Sequence, residues 1–313
     1  MATTSPTETT GERVVVLNPV SGAGDHPETV REHAEDYGYD VLETEEEGDA
    51  IELTRDAIGD GATEIAAAGG DGTLNGVVRG VVEAEALDDV TVGVLPCGTG
   101  NDFAANVGVT GIEQGFEVLE AGERRRIDLG FADGDPFVNS CVGGLTAESS
   151  AETSPALKDQ FGTFAYVVET LRAIPSFDGI RLTARLSDAD ADAPVWSGTA
   201  IAVLIGNGRR FPPSGSTQAN MEDGRFDVTL VHGTGSVDLM ETAAVERLLG
   251  RESDQTSRYT VSGLEIEVQE ADPVSFSLDG EIIERHELSV RNEPRALTFA
   301  VGERYEPIPG GEE

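Results

Sequence analysis

Basic side chains are scarce in this sequence of 313 residues, and Lys158 is its only lysine. Against 21 lysine and arginine residues stand 59 aspartate and glutamate residues, which gives a formal net charge of −38. Because no basic stripe exists, we expect no nucleic-acid partner. Such a charge excess repels itself in dilute buffer and is largely screened at about 1 M salt, where the Debye length is roughly 3 Å. The composition therefore predicts a halophilic protein, adapted to a salty cytoplasm.

Metal-binding clusters and membrane signals are also missing from the sequence. Cys97 and Cys141, the two cysteines, are far apart and the four histidines are scattered, so no disulfide framework and no zinc site is indicated. No apolar run approaches the roughly eighteen residues that a membrane-spanning helix needs. Residues 1–12 are polar and rich in threonine, which predicts a disordered tail rather than a signal peptide.

The first part of the chain alternates between strand-like and helix-like segments. Apolar strands are predicted at residues 13–19, 39–44, 63–70 and 90–96. After the third strand, an apolar face with helical spacing is formed by Leu74, Val77, Val78, Val81 and Val82. Repeated strand–helix units with continuous apolar strands predict an α/β domain over residues 13–126, with a parallel, doubly wound sheet covered by helices on both faces.

The pattern then changes to one dominated by strands. The turn "ADGD" between two apolar segments predicts a hairpin, and residues 179–292 are mostly strand-like. A long amphipathic helix is predicted over 157–171 and a second helix over 236–249. These features predict a mainly antiparallel β-sandwich over residues 127–294, while a last strand within 295–308 could complete the first domain.

Three glycine-rich turns follow predicted strands of the first domain. They are "NPVSGAG" (18–24), "GGDGTLN" (69–75) and "PCGTGND" (96–102). In an open α/β sheet, ligands bind at the carboxyl ends of the strands, where glycine lets a phosphate approach backbone amides and a helix N-terminus. Thr73 and Thr99 add hydroxyl groups. The G-x-x-x-x-G-K-[ST] and G-x-G-x-x-G motifs are absent. One such turn can be merely structural, but three in one domain predict a shared anionic ligand.

Carboxylates accompany these turns, which is unexpected at a phosphate site. Asp71 and Asp102 lie within two of the turns, and Asp128 follows just beyond the domain. In so acidic a chain, a lone aspartate is usually a solvated surface residue. These three, however, have glycine-rich or apolar surroundings. Mg²⁺ binds phosphate oxygens together with one or two carboxylates and several waters, so a metal would reconcile the carboxylates with the phosphates.

A further pair of carboxylates lies near the end of the chain. The segment "SFSLDGEII" (275–283) places Asp279 and Glu281 at a tight turn between two strands. One interpretation is an ordinary Asp-Gly hairpin turn. The other is that Glu281 accepts a proton from a hydroxyl group during a transfer reaction.

Taken in order along the chain, these segments resemble the diacylglycerol kinase catalytic family. Its members are bacterial-type lipid kinases, related to sphingosine kinases and more distantly to NAD kinases. The matching motifs are "NPVSG", "GGDGTLN", "LPCGTGNDFA", "IDLG…FVNSCVGG", "IGNGRR…EDGRFDV" and "LDGE", within about residues 13 to 302. The resemblance implies a nucleotide-binding α/β domain, a β-rich lipid-substrate domain and an active site in the cleft between them. It also implies ATP and Mg²⁺ as cofactors.

The resemblance assigns roles to individual residues. Nucleotide contacts are expected from Asn18, Ser21, Gly22, Thr44, Gly69, Gly70, Asp71, Gly72, Thr73, Leu74, Asn75, Gly98, Thr99 and Asn101. The catalytic Mg²⁺ site would involve Asp71, Asp102 and Asp128, largely through water. A second, structural Mg²⁺ site would take the side chain of Asp223 and the carbonyl groups of Asn220 and Arg225. Glu281 matches the catalytic base, and Asp279 supports it.

Three motifs depart from the family pattern. Gly76 stands where the family usually has glutamate, and Ala105 where arginine is common. Leu145 and Thr146 follow the glycine pair of "CVGGLTAE", where an acidic residue is frequent. The transfer chemistry is not affected, because all the carboxylates named above are present.

We therefore predict a cytoplasmic, ATP-dependent lipid kinase of phospholipid biosynthesis that makes peripheral contact with a membrane. The alternatives are a soluble-substrate kinase of the NAD kinase type and a non-catalytic nucleotide- or Mg²⁺-binding protein. Arg209 and Arg210, in "NGRRFPPSG", are predicted to help contact the membrane, although a plain surface loop fits equally well. The acceptor stays open between a glycerol lipid, a sphingoid-like base and an isoprenoid ether lipid, and a homodimer is an open possibility.

Overall fold

A computed structural model describes residues 12–145, 179–187, 195–214, 216–232 and 256–309. The chain divides into two compact units, Met1–Arg126 with Leu297–Tyr305, and Ile127–Ala296 with Glu306–Glu313. Apart from Glu12, the predicted tail lies outside the described residues, as do the helices predicted over 157–171 and 236–249.

The first unit is built on a parallel sheet, as predicted. Its first strands are β1 (Arg13–Leu17), β2 (Asp40–Glu43), β3 (Glu64–Gly69) and β4 (Thr91–Pro96). Strand β1 lies between β2 and β3, and β4 pairs with β3, every pair being parallel. Val14, Val15 and Val16 are all fully buried. A strand covered on both faces requires such a continuous apolar run, and for this reason the strand could be predicted from the sequence.

Helices accompany these strands: α1 (Pro27–Tyr37), α2 (Asp49–Gly59), α3 (Asp71–Glu83), α4 (Asp102–Asn106) and α5 (Ile112–Ala121). Helix α1 starts at Pro27, whose fixed φ suits the first helical position. It ends at Gly38, whose φ of 73° allows its N–H to reach the last carbonyl groups of the helix. Within the described part of the chain, no helix is long and apolar enough to span a membrane.

Helices α2 and α3 approach each other closely at two glycines of α3. A Cβ atom on Gly76 would lie 2.8 Å from the Cβ of Ala50, and one on Gly80 would lie 2.6 Å from the Cβ of Thr54. These distances are shorter than carbon atoms tolerate, so the helices can pack this way only with glycine at both positions. The departure from the family pattern at Gly76 follows from this packing, because a glutamate there would force the two helices apart.

The second unit is mainly antiparallel, as predicted. The remaining strands are β5 (Glu123–Ala132), β6 (Asp135–Phe137), β7 (Ser140–Leu145), β8 (Ile180–Ser187), β9 (Val195–Gly206), β10 (Arg209–Ser214), β11 (Ser216–Gln218), β12 (Phe226–His232), β13 (Thr256–Val261), β14 (Gly263–Val268), β15 (Val274–Leu278), β16 (Glu281–Arg285) and β17 (Glu287–Val301). The "ADGD" hairpin joins β5 to β6, with Ala132 paired to Asp135.

Strand β9 organises the second unit because it pairs with different neighbours along its length. Residues 195–200 pair with β8, 203–206 with β7, and 200–206 with β12. Apolar side chains of these and further strands of the second unit form one buried core, in which the rings of Phe137 and Phe226 stack at 5.6 Å. A strand that changes partners in this way allows strands to pack face to face around a core, as in a sandwich.

The last strand, β17, contributes to both units. Residues 287–291 pair antiparallel with β14, and Thr298 and Phe299 pair parallel with Thr91 and Val92 of β4. Between these stretches, Arg295 has a φ of 50°, which interrupts the regular strand geometry. The order of strands in the sequence could not assign this strand to one domain, and the structure divides it between the two units.

Candidate active site

The three glycine-rich turns lie at the same edge of the first unit, because β1, β3 and β4 are neighbouring parallel strands. The second and third turns are in direct contact. The N–H groups of Cys97 and Gly98 donate to the carbonyl oxygen of Gly69 at 2.9 and 3.1 Å. A Cβ on Gly98 would lie 2.4 Å from the Cα of Gly70, so no larger residue fits between the turns.

The first turn joins this group through two of its residues, Asn18 and Gly22. Gly22, with a φ of 56°, packs so closely that a Cβ there would lie 2.4 Å from the carbonyl oxygen of Cys97. Asn18 donates from Nδ2 to the Oγ1 of Thr73 at 3.4 Å, and its backbone N–H donates to Ala68. The sequence prediction that the three turns share one location is therefore confirmed by their contacts.

Helix α3 begins inside the second turn. Gly70 is its N-cap in an extended conformation, and the helix runs for 13 residues from Asp71. The first N–H groups of a helix have no partners within it and carry partial positive charge, which favours an anion at this end. Thr73 and Asn75 are buried, as is Leu74, so Leu74 could contact a ligand only through its backbone.

The carboxylate of Asp71 is bound by backbone amides of the third turn. Its Oδ2 accepts the N–H of Asp102 and its Oδ1 accepts the N–H of Phe103, both at 3.1 Å. These are the first two residues of α4, whose N-cap Asn101 makes no side-chain cap bond of its own. Asp71 thus caps α4 from a different turn, which holds the second and third turns in register.

Other predicted nucleotide residues complete the same edge. Asn101 accepts the N–H of Gly98 at 3.0 Å and donates to its carbonyl oxygen at 2.7 Å, which fixes the third turn, where Thr99 is exposed. The N–H of Thr44 donates to Leu17 at 2.9 Å, so the end of β2 lies beside the first turn. Ser21 is partly exposed there.

Asp128 belongs to the second unit and is fully buried. Its carboxylate accepts the N–H groups of Gly224 and Arg295, each at 2.7 Å. The pKa of this carboxyl group is raised to about 6, mainly by burial. The two hydrogen bonds lower the pKa, and the charges of Asp223 and Glu222 raise it. The structure therefore brings Asp128 together with the "NMEDGRF" turn.

That turn is held by its own side chains. The side chain of Asn220 accepts the N–H of Glu222 and that of Asp223 accepts the N–H of Arg225, both at 3.0 Å. It borders a cavity of about 330 Å³ whose lining includes Asn220, Asp223 and Arg225. Among the residues that the structure describes, no group of three or more His, Cys, Asp or Glu side chains is placed to hold a metal ion. The metal-binding roles of Asp71, Asp102, Asp128, Asn220, Asp223 and Arg225 stay predictions.

Asp279 and Glu281 occupy the predicted turn. Asp279 and Gly280 have φ values of 50° and 107°, as a type I′ turn between β15 and β16 requires. The Asp279 carboxylate also accepts the N–H groups of Val138, Asn139 and Ser140 at 2.6, 2.9 and 2.8 Å. An ordinary hairpin turn needs no such bonds. They fix the position of the turn, at whose edge the first residue of β16, Glu281, is exposed.

Asn207 was missed as an organising residue of the second unit. It is 1% exposed, and its Nδ2 donates to the carbonyl oxygens of Asp128 and Val138, each at 2.9 Å. Its Oδ1 accepts from the side chain of Asn292 at 3.0 Å. Asn207 thus connects the strand of Asp128 to the segment that binds Asp279. The available signal in the sequence is an asparagine between two glycines in "IGNGRR", but no role was predicted for it.

The prediction of a membrane contact is wrong for Arg209. Its side chain is only 6% exposed, and its guanidinium lies 5.9 Å from the centre of the Phe211 ring. Arg210 pairs with the carboxylate of Asp227, with Nε 3.1 Å from Oδ2. Arg209 is thus buried, whereas the side chain of Arg210 is 29% exposed and paired with a carboxylate.

Comparison with known families agrees with this architecture. Residues 12–132 match the family model described as Diacylglycerol kinase catalytic domain. Residues 140–301 match the one described as YegS C-terminal NAD kinase beta sandwich-like domain. Together the two matches span both units of the chain.

Relatives and solved structures match over most of their length. A Stenotrophomonas maltophilia (strain K279a) protein named "Probable lipid kinase YegS-like" is 31% identical, over 90% of this chain and 93% of its own. The Escherichia coli (strain K12) protein named "Lipid kinase YegS" is 29% identical, over 82% and 84%. A crystal structure of a diacylglycerol kinase from Bacillus anthracis (strain Sterne) superposes with a TM-score of 0.69 at 19% identity, over 95% of this chain and all of that one, and so shares the fold.

Proposed function

This chain belongs to the lipid kinase family that contains a diacylglycerol kinase catalytic domain, and from that membership we propose that it transfers the γ-phosphoryl group of ATP to the hydroxyl group of a lipid. One observation carries the nucleotide half of this proposal. Three glycine-rich turns meet at the N-terminus of α3, where Gly98 and Gly70 leave no space for a side chain. The first N–H groups of a helix have no partner within it, and such groups bind phosphate.

The first unit binds the nucleotide in this proposal. The amides at the start of α3 bind the phosphate groups, and Asn18 and Asn101 keep the flanking turns in place. Thr44 lies at the end of the neighbouring strand and provides a further nucleotide contact. Transfer then depends mainly on positioning and on stabilisation of charge.

Asp71 and Asp102 are the carboxylates of the first unit that could hold Mg²⁺. Each oxygen of Asp71 already accepts one backbone N–H. Because Mg²⁺ retains much of its hydration, a cation beside Asp71 would be bound largely through water. When bound, the ion offsets the negative charge that develops on the transferred group. The two side chains are oxygen donors of the type that this ion prefers.

Glu281 acts on the acceptor. Its carboxylate takes the proton of the lipid hydroxyl group as the hydroxyl oxygen bonds to the γ-phosphorus and the bond to the β-phosphate oxygen breaks, releasing ADP. The Asp279 carboxylate keeps the turn before Glu281 in place through its bonds to the 138–140 segment. Glu281 is exposed, so a hydroxyl group can reach it.

The test is a panel of acceptors with ATP labelled at the γ-position, in about 2 M KCl, where the repulsion of the acidic chain is screened. A dialkylglycerol, a diacylglycerol, a sphingoid base and NAD are offered separately in detergent micelles. The proposal predicts label in at least one lipid and none in NAD. Label in NAD alone would establish the soluble-substrate alternative. ATP binding without transfer to any acceptor, in the panel or in a total lipid extract, would favour the non-catalytic one.

A further inference from the structure

His26 lies immediately before α1 and directs its ring to the first glycine-rich turn. The side chain is 6% exposed, and its Nε2 lies 3.0 Å from the carbonyl oxygen of Asn18. A carbonyl oxygen only accepts hydrogen bonds, so Nε2 carries the proton and donates. The imidazole therefore connects the start of α1 to the residue at which the turn begins.

Asn18 uses all its polar groups to hold the turns. Its N–H donates to Ala68, its Oδ1 accepts the N–H of Val20 at 3.2 Å, and its Nδ2 donates to Thr73 at 3.4 Å. Its carbonyl oxygen accepts the N–H of Ser21 at 3.3 Å and the His26 ring. The histidine bond thus acts on the residue that links the first turn to the N-terminus of α3.

We propose that His26 is a positioning residue for the nucleotide phosphates, which fixes the "NPVSG" turn through the carbonyl group of Asn18. This inference rests on the proposed function. His26 does not touch the nucleotide. It limits the freedom of a turn that would otherwise have to be ordered when the phosphates bind, and such pre-organisation strengthens binding.

Two observations separate this role from ordinary core packing. His26 is the N-cap residue of α1 yet makes no side-chain cap bond, so the helix does not use its ring. Its Nδ1 is buried without a hydrogen-bond partner among the residues that the structure describes. A buried polar atom without a partner is unfavourable, and an apolar ring would fill the same space without that cost. What the imidazole adds is the Nε2–H donor to Asn18.

The experiment measures binding of AMP-PNP with MgCl₂ to the full chain by calorimetry, in about 2 M KCl. His26→Phe keeps the ring volume and removes the donor, whereas His26→Gln keeps an N–H donor of similar reach. We expect His26→Phe and His26→Ala to weaken binding about three- to tenfold, as the loss of one useful hydrogen bond does, and His26→Gln to stay within about twofold of the original chain. The matched control is His33→Ala, because His33 is on the same helix and, in the described part of the chain, bonds to Thr29 and stacks on Phe116 rather than bonding to the first turn.

The outcomes distinguish this inference from the proposed function. If the unaltered chain binds no AMP-PNP, the proposed function fails. If it binds and His26→Phe binds equally well, or if His26→Gln is as weak as His26→Phe, only the role of His26 is overturned. Thermal unfolding is recorded for every variant. Should His26→Phe not fold, the comparison of His26→Ala with His26→Gln decides the same question, since only Gln restores the donor.

Discussion

Two aspartates use their carboxylates to bind backbone amides of distant segments. Asp71 accepts from Asp102 and Phe103, and Asp279 accepts from Val138 and two residues that follow it. In each case the carboxylate positions a turn that carries a predicted functional residue. A charged acceptor is suited to this work, because bonds from amides to a carboxylate are shorter and stronger than bonds to a neutral oxygen.

The substitution Asp279→Asn tests whether Asp279 serves only as a turn residue or also stabilises the fold through the backbone amides that its carboxylate binds. Asn-Gly is at least as favourable as Asp-Gly in a type I′ turn, so an ordinary turn would be unaffected. We expect the substitution to lower the free energy of unfolding by about 2 kcal/mol, because one side-chain oxygen and an NH₂ group would replace the acceptor of three amides. Denaturant unfolding in high salt measures this change. Unchanged stability would show that the amide bonds do not matter.

Asp128 makes stability depend on pH. Its pKa is raised from 3.8 to about 6 by burial, so the folded state favours the protonated form. That contribution to stability is fully present below about pH 4 and is lost as the pH rises through about 6. Across this pH range, the free energy of unfolding of the unaltered chain should fall by on the order of 2 to 3 kcal/mol relative to that of Asp128→Asn. The test is to measure the free energy of unfolding of both chains in EDTA at a series of pH values and to compare how steeply it changes with pH. A constant difference in stability between the two chains does not affect this comparison. Parallel curves would contradict it.

At the scale of single residues, the sequence drew attention to several side chains but did not predict their hydrogen-bond partners in the fold. The position of Asp71 in a glycine-rich turn indicated a metal site, whereas its partners are amides some 30 positions away. The partners of Asp279 and Asn207 are more distant still. Such pairs depend on which turns the fold brings together, and no local pattern records them.

At the scale of elements, the close packing of α2 against α3 gives a testable consequence. Gly76→Ala and Gly80→Ala should each lower the free energy of unfolding by about 1 to 3 kcal/mol, because the added methyl groups overlap Ala50 and Thr54. The control is Gly59→Ala at the end of α2, where a Cβ meets no atom within 4 Å. It should leave stability unchanged or raise it by up to about 1 kcal/mol. Equal effects at all three positions would contradict the packing argument.

Elements with strong local signals were predicted correctly. The valines of β1 and the apolar face of α3 follow the periods of a buried strand and an amphipathic helix. The turns at Asp133 and Asp279 were recognisable from Asp-Gly between strands. The sequence divides β17 at Pro294, and its two halves do pair in different units, but it could not decide which unit the second half joins, because that depends on pairing with distant strands. The close contact of α2 with α3 was also invisible, since it depends on tertiary packing.

At the scale of the whole molecule, charge is the dominant property. Arginines of the described residues form ion pairs, as Arg13 and Arg124 both do with Glu64 at 3.0 and 2.8 Å. With 59 acidic side chains and 21 basic ones, there are nevertheless too few basic groups to pair with most of the carboxylates. The net repulsion, rather than any single pair, should therefore set how stability depends on salt.

Thermal unfolding should accordingly shift to higher temperature as KCl is raised from about 0.05 M to about 2 M, over which the Debye length falls from more than 10 Å to less than 3 Å. Most of the rise is expected below about 1 M, where screening changes most steeply. Equal stability at both ends of this range would show that the acidic surface is not an adaptation to salt.

The central claim, phosphoryl transfer to a lipid hydroxyl group with Glu281 as the base, is tested most directly by one comparison. Transfer of label from γ-labelled ATP to lipid is measured for the unaltered chain, for Glu281→Gln and for Glu284→Gln, an exposed glutamate on the same strand. We predict that Glu281→Gln lowers the rate at least about a hundredfold, the usual contribution of a general base, while AMP-PNP binding and the Glu284→Gln rate stay within about twofold. Full transfer by Glu281→Gln would contradict the account.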